Sequence, residues 1–210
     1  MKKLFLLLIT ISSIFFFSCT NELNISFNKD GTADFSFSTA AGTALSKMLK
    51  DYAKSAGTDT IIDSKSIVKD LTDSKFSNVK VSVTGFSSFT ASGSDKTKKS
   101  ILFTSGIFKE DKSKIKLILT PELLKQFYDK SEESTQMLLD MLLSPVFNDE
   151  KMSESEYIET LSTFYGSAIG NEIKSSMITI NITDSTGKKI SQKVPLSKLM
   201  TLNSPIIIGN

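Results

Sequence analysis

Any chemistry in this chain has to come from carboxylates, lysines, hydroxyls, phenols and a single thiol. The 210 residues contain no histidine and no tryptophan, one cysteine, and 25 basic side chains, all of them lysine. That composition excludes His-based triads, zinc held by His or Cys clusters, and disulfides. Without arginine there is no planar bidentate grip on a base or a phosphate, which argues against a nucleic-acid partner.

The remaining chemical motifs are weak. Ser-x-x-Lys occurs at Ser66-Ile67-Val68-Lys69, the spacing in which penicillin-recognising serine enzymes set nucleophile and lysine, but the companion Lys-Thr-Gly is missing. The same spacing starts at Ser26, Ser77, Ser113 and Ser185, so it reads as chance in a chain rich in both residues. Ser26, Asn28, Asp30 and Gly31 imitate the start of a calcium loop, yet Phe37 stands where the bidentate glutamate belongs. A hairpin turn is the better account. The acidic run Asp149, Glu150, Glu154, Glu156 and Glu159 could pair carboxylates for metal or glycosidic work, but negative charge is also what a helix start favours. Gly166 and Gly170 are read as helix-ending residues. No phosphate-cradling loop is present. The expectation is therefore no catalytic, metal or cofactor-binding residue.

The elements that would position any such group begin after the N-terminal segment. Lys2 and Lys3 precede an apolar run, Leu4 to Phe17, broken only by Thr10, Ser12 and Ser13, and the run closes on Phe16-Phe17-Ser18-Cys19. A charged start, a short apolar stretch and a small residue before a cut describe an export signal. Fourteen helical residues span roughly 21 Å, short of the ~30 Å hydrocarbon core, which disfavours a permanent transmembrane helix. Phe16 at −3 fits ordinary secretory cleavage poorly. The lone cysteine at the end of the run resembles a bacterial lipoprotein signal, in which the thiol is diacylated, residues 1–18 are cut away and Cys19 becomes the lipidated N-terminus. Losing Lys2 and Lys3 leaves 23 charges of each sign. The mature chain is then neutral, and the basic cluster Lys96, Lys98 and Lys99 reads as a solvated loop rather than an anionic-lipid contact.

The mature chain, 19–210, is long enough to bury a core as one domain. Leu23, Ile25 and Phe27 alternate with polar residues, as do Ala33, Phe35 and Phe37, around the turn Asn28-Lys29-Asp30-Gly31, a hairpin pattern. Helical spacing follows from Ala41 to Tyr52, with Ser38 or Thr39 as cap. A second helix is expected over Ser64 to Leu71 and a strand through Val79, Val81 and Val83. Gly85 to Lys99 reads as a flexible loop or insertion. Strands are expected at Ile101 to Phe108 and Ile115 to Leu119, then a helical region from Pro121 to Leu143 that breaks near Ser131 and ends at Ser144-Pro145. Within it Met137, Leu138, Leu139, Met141, Leu142 and Leu143, followed by Val146 and Phe147, are apolar round most of a helix: core, or an adaptable face for a lipid or partner. Ser153-Glu154-Ser155-Glu156 is a capping box opening another helix. Ile178 to Ile182 and Ile190 to Val194 form a hairpin, Pro195 to Leu202 a helical turn, and Ile206 to Ile208 an apolar end. Grouped rather than alternating elements predict an α+β fold, a mainly antiparallel sheet built from hairpins with helices packed on it.

Three stretches resemble a group of spirochaete outer-envelope lipoproteins of unknown function and, more distantly, the LppM-like domain of mycobacterial lipoproteins. They are Ile25-Ser26-Phe27-Asn28-Lys29-Asp30-Gly31-Thr32, Met152-Ser153-Glu154-Ser155-Glu156-Tyr157, and Pro195 to Leu202 followed by Ser204-Pro205-Ile206. The resemblance implies an α+β domain facing the envelope. It carries over no catalytic residue, and although the mycobacterial proteins are associated with glycolipid handling, no residue here marks a lipid site. The functional expectation is a membrane-tethered, non-enzymatic binding or interaction module, extracytoplasmic, anchored to the inner or outer membrane through Cys19. The alternative is an envelope hydrolase using carboxylates or a Ser/Lys pair.

Overall fold

The computed structural model describes residues 20–55, 57–111, 114–129, 133–148 and 150–209. Cys19 and the signal segment lie outside the described residues, as does Ser131.

Alternation of apolar and polar residues builds the main sheet. Strands β1 (Thr20–Phe27) and β2 (Ala33–Ala40) form the expected hairpin, with Leu23 opposite Phe37 and Ile25 opposite Phe35. β3 (Ser77–Gly85) and β4 (Ser88–Asp95) form a second hairpin, with β4 pairing antiparallel to β2. β7 (Met177–Thr183) and β8 (Lys189–Pro195) form a third. The six strands lie in the order β3-β4-β2-β1-β7-β8. Every ladder among the described strands is antiparallel except β1 with β7, which run parallel. Between them β5 (Phe108–Asp111), β6 (Lys114–Leu119) and β9 (Ile206–Ile208) make a three-stranded antiparallel sheet. The protein is α+β.

Eight helices are described: α1 (Thr43–Ser55), α2 (Ser64–Asp73), the single turn α3 (Ile101–Thr104), α4 (Pro121–Tyr128), α5 (Glu133–Phe147), α6 (Glu154–Tyr165), α7 (Ser167–Ser175) and α8 (Leu196–Met200). Their apolar stripes meet the inner face of the large sheet. Leu45 and Leu49 of α1, Leu71 of α2, Ile173 of α7 and Leu199 of α8 join Ile25, Phe37 and Ile178 in one contiguous buried cluster that extends into Leu117 and Ile208 of the small sheet. The outer face is polar. One row across it reads Lys80, Ser92, Ser36, Asn24, Asn181 and Ser191. Asn24 bridges two neighbours here, donating to Ser36 Oγ at 3.2 Å and accepting from Asn181 Nδ2 at 2.8 Å.

Four local expectations are corrected. Residues 88–95, expected within a loop, are β4, a strand with neighbours on both sides. Its inward positions are Phe89, Ala91, Gly93 and Asp95, all buried. Gly93 is small because Phe35 lies over it: a Cβ there would approach Phe35 Cε1 to 2.8 Å. Only the Lys96–Lys99 stretch loops out. Second, Ile101–Phe108 is not one strand. Ser100 caps α3 by accepting from Leu102 N at 3.3 Å, and the strand starts only at Phe108. Third, α5 runs through Ser144-Pro145 to Phe147; Pro145 removes one donor near the helix end but leaves the Asn148 N to Ser144 O bond at 3.0 Å in place. Finally, Ser38 and Thr39 belong to β2, and α1 is capped from elsewhere.

Candidate functional site: an apolar chamber and the two ends of the large sheet

The interior contains a void of about 60 Å³ between the large and small sheets. Ile25, Phe35 and Ile180 contribute from the large sheet, Leu117 from the small one, Phe76 from the α2–β3 connection and Leu102 from α3. The walls are apolar, so water finds no partners there and the space stays dry. Its size decides what it can hold as it stands. A cavity of roughly 150 Å³ is what takes up benzene, so this chamber has no room for an acyl chain without movement. None of the described α5 side chains lines it.

Of the described α5 side chains, Leu139, Leu143 and Val146 are buried and Asp140 is exposed. Phe147 stacks on Tyr128 with ring centres 4.3 Å apart, and the Tyr128 hydroxyl donates to Asp140 at 2.9 Å. That bond to a carboxylate is the main reason the Tyr128 pKa is raised. The side chains of Met137, Leu138, Met141 and Leu142 lie outside what the structure describes.

At one end of the large sheet the start of β1 meets the end of β2 and the start of β7, and the end of β3 reaches the same edge two strands further on, so Thr20, Ala40, Gly85 and Met177 share that end. Here the first turn of α1 needs acceptors for its free amides. They come from Glu172 of α7, whose carboxylate accepts from Ala44 N at 2.9 Å and Leu45 N at 3.2 Å. Gly42 makes this approach feasible, since any Cβ there would fall on the Glu172 carboxyl. Nothing in the sequence signals the pairing, because the partners stand 127 and 128 residues apart. Glu172→Ala is expected to cost about 1–2 kcal/mol through loss of this cap, read as a lower urea midpoint, with Glu172→Gln losing less. An unchanged midpoint in Glu172→Ala would mean that water caps the helix equally well. On the same end Lys50 Nζ lies 5.6 Å above the Phe86 ring, and Ser87 and Ser46 share a hydroxyl bond at 2.9 Å.

The opposite end is closed by a device used three times. In Asp30-Gly31-Thr32, Asp95-Lys96-Thr97 and Asp184-Ser185-Thr186 the aspartate Oδ1 accepts from both the amide and the hydroxyl of the threonine two residues on. The amide bonds are 2.9, 2.7 and 2.9 Å and the hydroxyl bonds 2.6, 3.1 and 2.6 Å. This Asp-x-Thr repeat is visible in the sequence, and its turn-closing use follows from known Asx geometry. Hydrogen bonds from Thr32 and Thr186 hold the Asp30 and Asp184 carboxyls below the usual range. For Asp95 burial pushes upward, but bonds from Ser100 and Thr97 together outweigh it and the carboxyl is also lowered.

The sequence-derived chemical candidates are scattered. Ser66 and Lys69 share α2, but the Lys69 ammonium goes to Asp73 at 3.4 Å. The calcium-loop imitation is the first Asp-x-Thr turn. Of the acidic run, Glu156 completes the capping box, accepting from Ser153 N at 2.8 Å while Ser153 Oγ takes Glu156 N at 3.3 Å; its pKa is lowered first by the Ser153 hydroxyl, which donates to the carboxylate at 2.6 Å, and then by the Ser153 N bond. Glu154 turns away to accept from Ser197 Oγ at 2.5 Å. Asp149 lies outside the described residues. Among the described residues no group of three or more His, Cys, Asp or Glu could hold a metal ion. Gly166 does end a helix, with φ of 93° after Tyr165, whereas Gly170 lies inside α7, where α6 packs against it. Tyr157 is raised by burial, and its hydroxyl donates to Met200 Sδ at 3.2 Å.

Compared with protein-family models, curated proteins and solved structures, the chain matches none of them. No described helix is long and apolar enough to cross a membrane.

Proposed function

We propose that the protein is a lipid-anchored module of a bacterial cell envelope, held at its membrane through acyl chains on Cys19 and working by binding or interaction rather than catalysis. The observation that carries this reading is the start of the sheet. β1 begins at Thr20, one residue after Cys19, so cleavage before Cys19 leaves every described strand and helix whole. The first described strand lies directly downstream of the cleavage point that the lipoprotein-like signal implies.

The placement of the polar groups supports the second half of the reading. Among the described residues, the carboxyls of Asp30, Asp95, Glu156 and Asp184 are held below their ordinary range. Each closes a turn or caps a helix, which stabilises the charged form. Acid–base catalysis near neutrality calls for the reverse shift in a carboxylate.

Growth of the native host in labelled palmitate provides the test. The wild-type protein is expected to take up label and stay with membranes, since two or more chains anchor stably where one does not. Cys19→Ala is expected to lose both properties and accumulate as the uncut precursor. A wild-type protein that incorporates no fatty acid would overturn the proposal.

A further inference from the structure

We infer that the Thr20 end of the six-stranded sheet lies against the lipid headgroups of the leaflet that holds the Cys19 acyl chains, so that the domain stands upright on its sheet end. This rests on the anchoring proposed above and adds an orientation and a contact surface to it.

Tether length carries the inference. Cα atoms of neighbouring residues are about 3.8 Å apart, and β1 is already hydrogen-bonded on both sides at Asn21, opposite Thr39 and Ile178. The interfacial layer on each side of a bilayer is roughly 5–8 Å thick, from a total of about 40–45 Å around a core of about 30 Å. One peptide step is shorter than that layer. A lipid on Cys19 therefore draws the ends of β1, β2, β3 and β7 into it, and the connections at that end go with them.

The surface presented there has matching chemistry. Met177, one residue before the β1–β7 ladder begins, is 39 % exposed, and Val83 near the end of β3 is 42 % exposed. Phe86, in the β3–β4 turn, is partly buried beneath Lys50. Lys47, Lys50 and Lys174 are exposed. Such residues place apolar bodies at the interface with ammonium groups reaching the headgroup oxygens. The Glu172 carboxylate at this end is taken up by the α1 amides. Glu22, the acidic side chain nearest the anchor, accepts from Asn181 Nδ2 at 2.8 Å on the outer sheet face. The other lysine cluster, Lys96 to Lys99, follows the far end of β4. It stands about 26 Å from the anchor, taking eight residues of strand at ~3.3 Å each, out of reach of the same headgroups.

Because Cys19 would be blocked as a thioether, an introduced cysteine is a unique labelling site. Thr84→Cys reports the anchor end and Lys29→Cys the far end, both at exposed positions; Thr43→Cys and Lys188→Cys repeat the comparison on other elements. The full-length lipidated protein, carrying a fluorophore, is reconstituted into vesicles of phosphatidylethanolamine and phosphatidylglycerol containing a headgroup-nitroxide lipid. Quenching is expected to be several-fold stronger at 84 and 43 than at 29 and 188. A flexible Gly/Ser spacer of about a dozen residues after Cys19, with an end-to-end distance of roughly 20 Å, is expected to erase the difference. Equal quenching at both ends of protein that sediments with the vesicles would overturn the orientation and leave the anchor standing. A difference that survives the spacer would overturn the short tether as its cause. Mass spectrometry finding no acyl chain on Cys19 would remove the anchor and the orientation together.

Discussion

Asp95→Ala is expected to lower the stability of the fold by about 2–4 kcal/mol. The carboxylate is fully buried at the end of β4 and serves two segments at once. Oδ1 accepts from Thr97 N and Oγ1, and Oδ2 accepts from Ser100 N at 2.7 Å. Ser100 in turn caps α3, so one side chain fixes both the departure from β4 and the start of the next helix. Hydrogen bonds to a charged acceptor contribute roughly 1.5–3 kcal/mol each, and stranded amides add their own desolvation cost; water reaching the emptied site returns part of the sum. Because the folded carboxyl titrates below its unfolded value of about 3.9, the stabilisation is present above that value. It drains away as pH falls through the lower, folded pKa. Urea midpoints of wild type and Asp95→Ala should therefore differ by a constant amount at neutral pH and converge in acid. Equal midpoints at neutral pH would show that Asp95 holds nothing together.

Phe35→Ala is expected to cost about 3–5 kcal/mol, the range for truncating a buried aromatic, and to convert the dry chamber into a binding cavity. Phe35 is 5 % exposed, lines the void, packs on Phe76 with centroids 4.6 Å apart and covers Gly93. Removing the ring joins its volume to the existing ~60 Å³ and brings the space near the size that admits benzene. A ligand that binds only the folded state raises stability by mass action. Benzene should thus raise the melting temperature of the variant and leave wild type nearly unchanged. An equal response in both would mean that the chamber of the native protein already opens to apolar guests.

The parts of this fold that were legible in the sequence are those whose signals are local. Leu23 to Phe37 alternates cleanly around a turn containing Gly31, and the hairpin lies there. Ser153 and Glu156 stand at capping-box spacing and make both bonds. Ile178 to Val194 carries the same period on two arms of a turn. β4 was hidden because two of its inward residues, Ala91 and Gly93, are small to make room for neighbouring rings, so a buried strand looks like a polar linker. The start of α1 was misplaced because its cap comes from Glu172, far along the chain. The chamber was invisible for a similar reason: its walls come from segments throughout the chain, and no one stretch carries the pattern. Cys19 needed no fold at all to be noticed, but the proposed orientation depends on Asn21, two residues on, already being paired with strands on both sides.

The parallel β1–β7 ladder also sets a constraint in time. β1, β2, β3 and β4 are all complete by residue 95, and their pairings are available as soon as that much chain has emerged. β7 arrives much later: Asn24 and Asn181, which bond across the ladder, are 157 residues apart. Such non-local pairing is slow because a long loop must close before any contact rewards it. In the interval β1 is an open edge carrying Leu23, Ile25 and Phe27, the kind of edge that recruits strands from other molecules. A population of nascent chains fastened to one surface at their N-termini would hold these edges close together. The wait for β7 is therefore a stage open to aggregation, and one at which a chaperone covering the β1 edge would act.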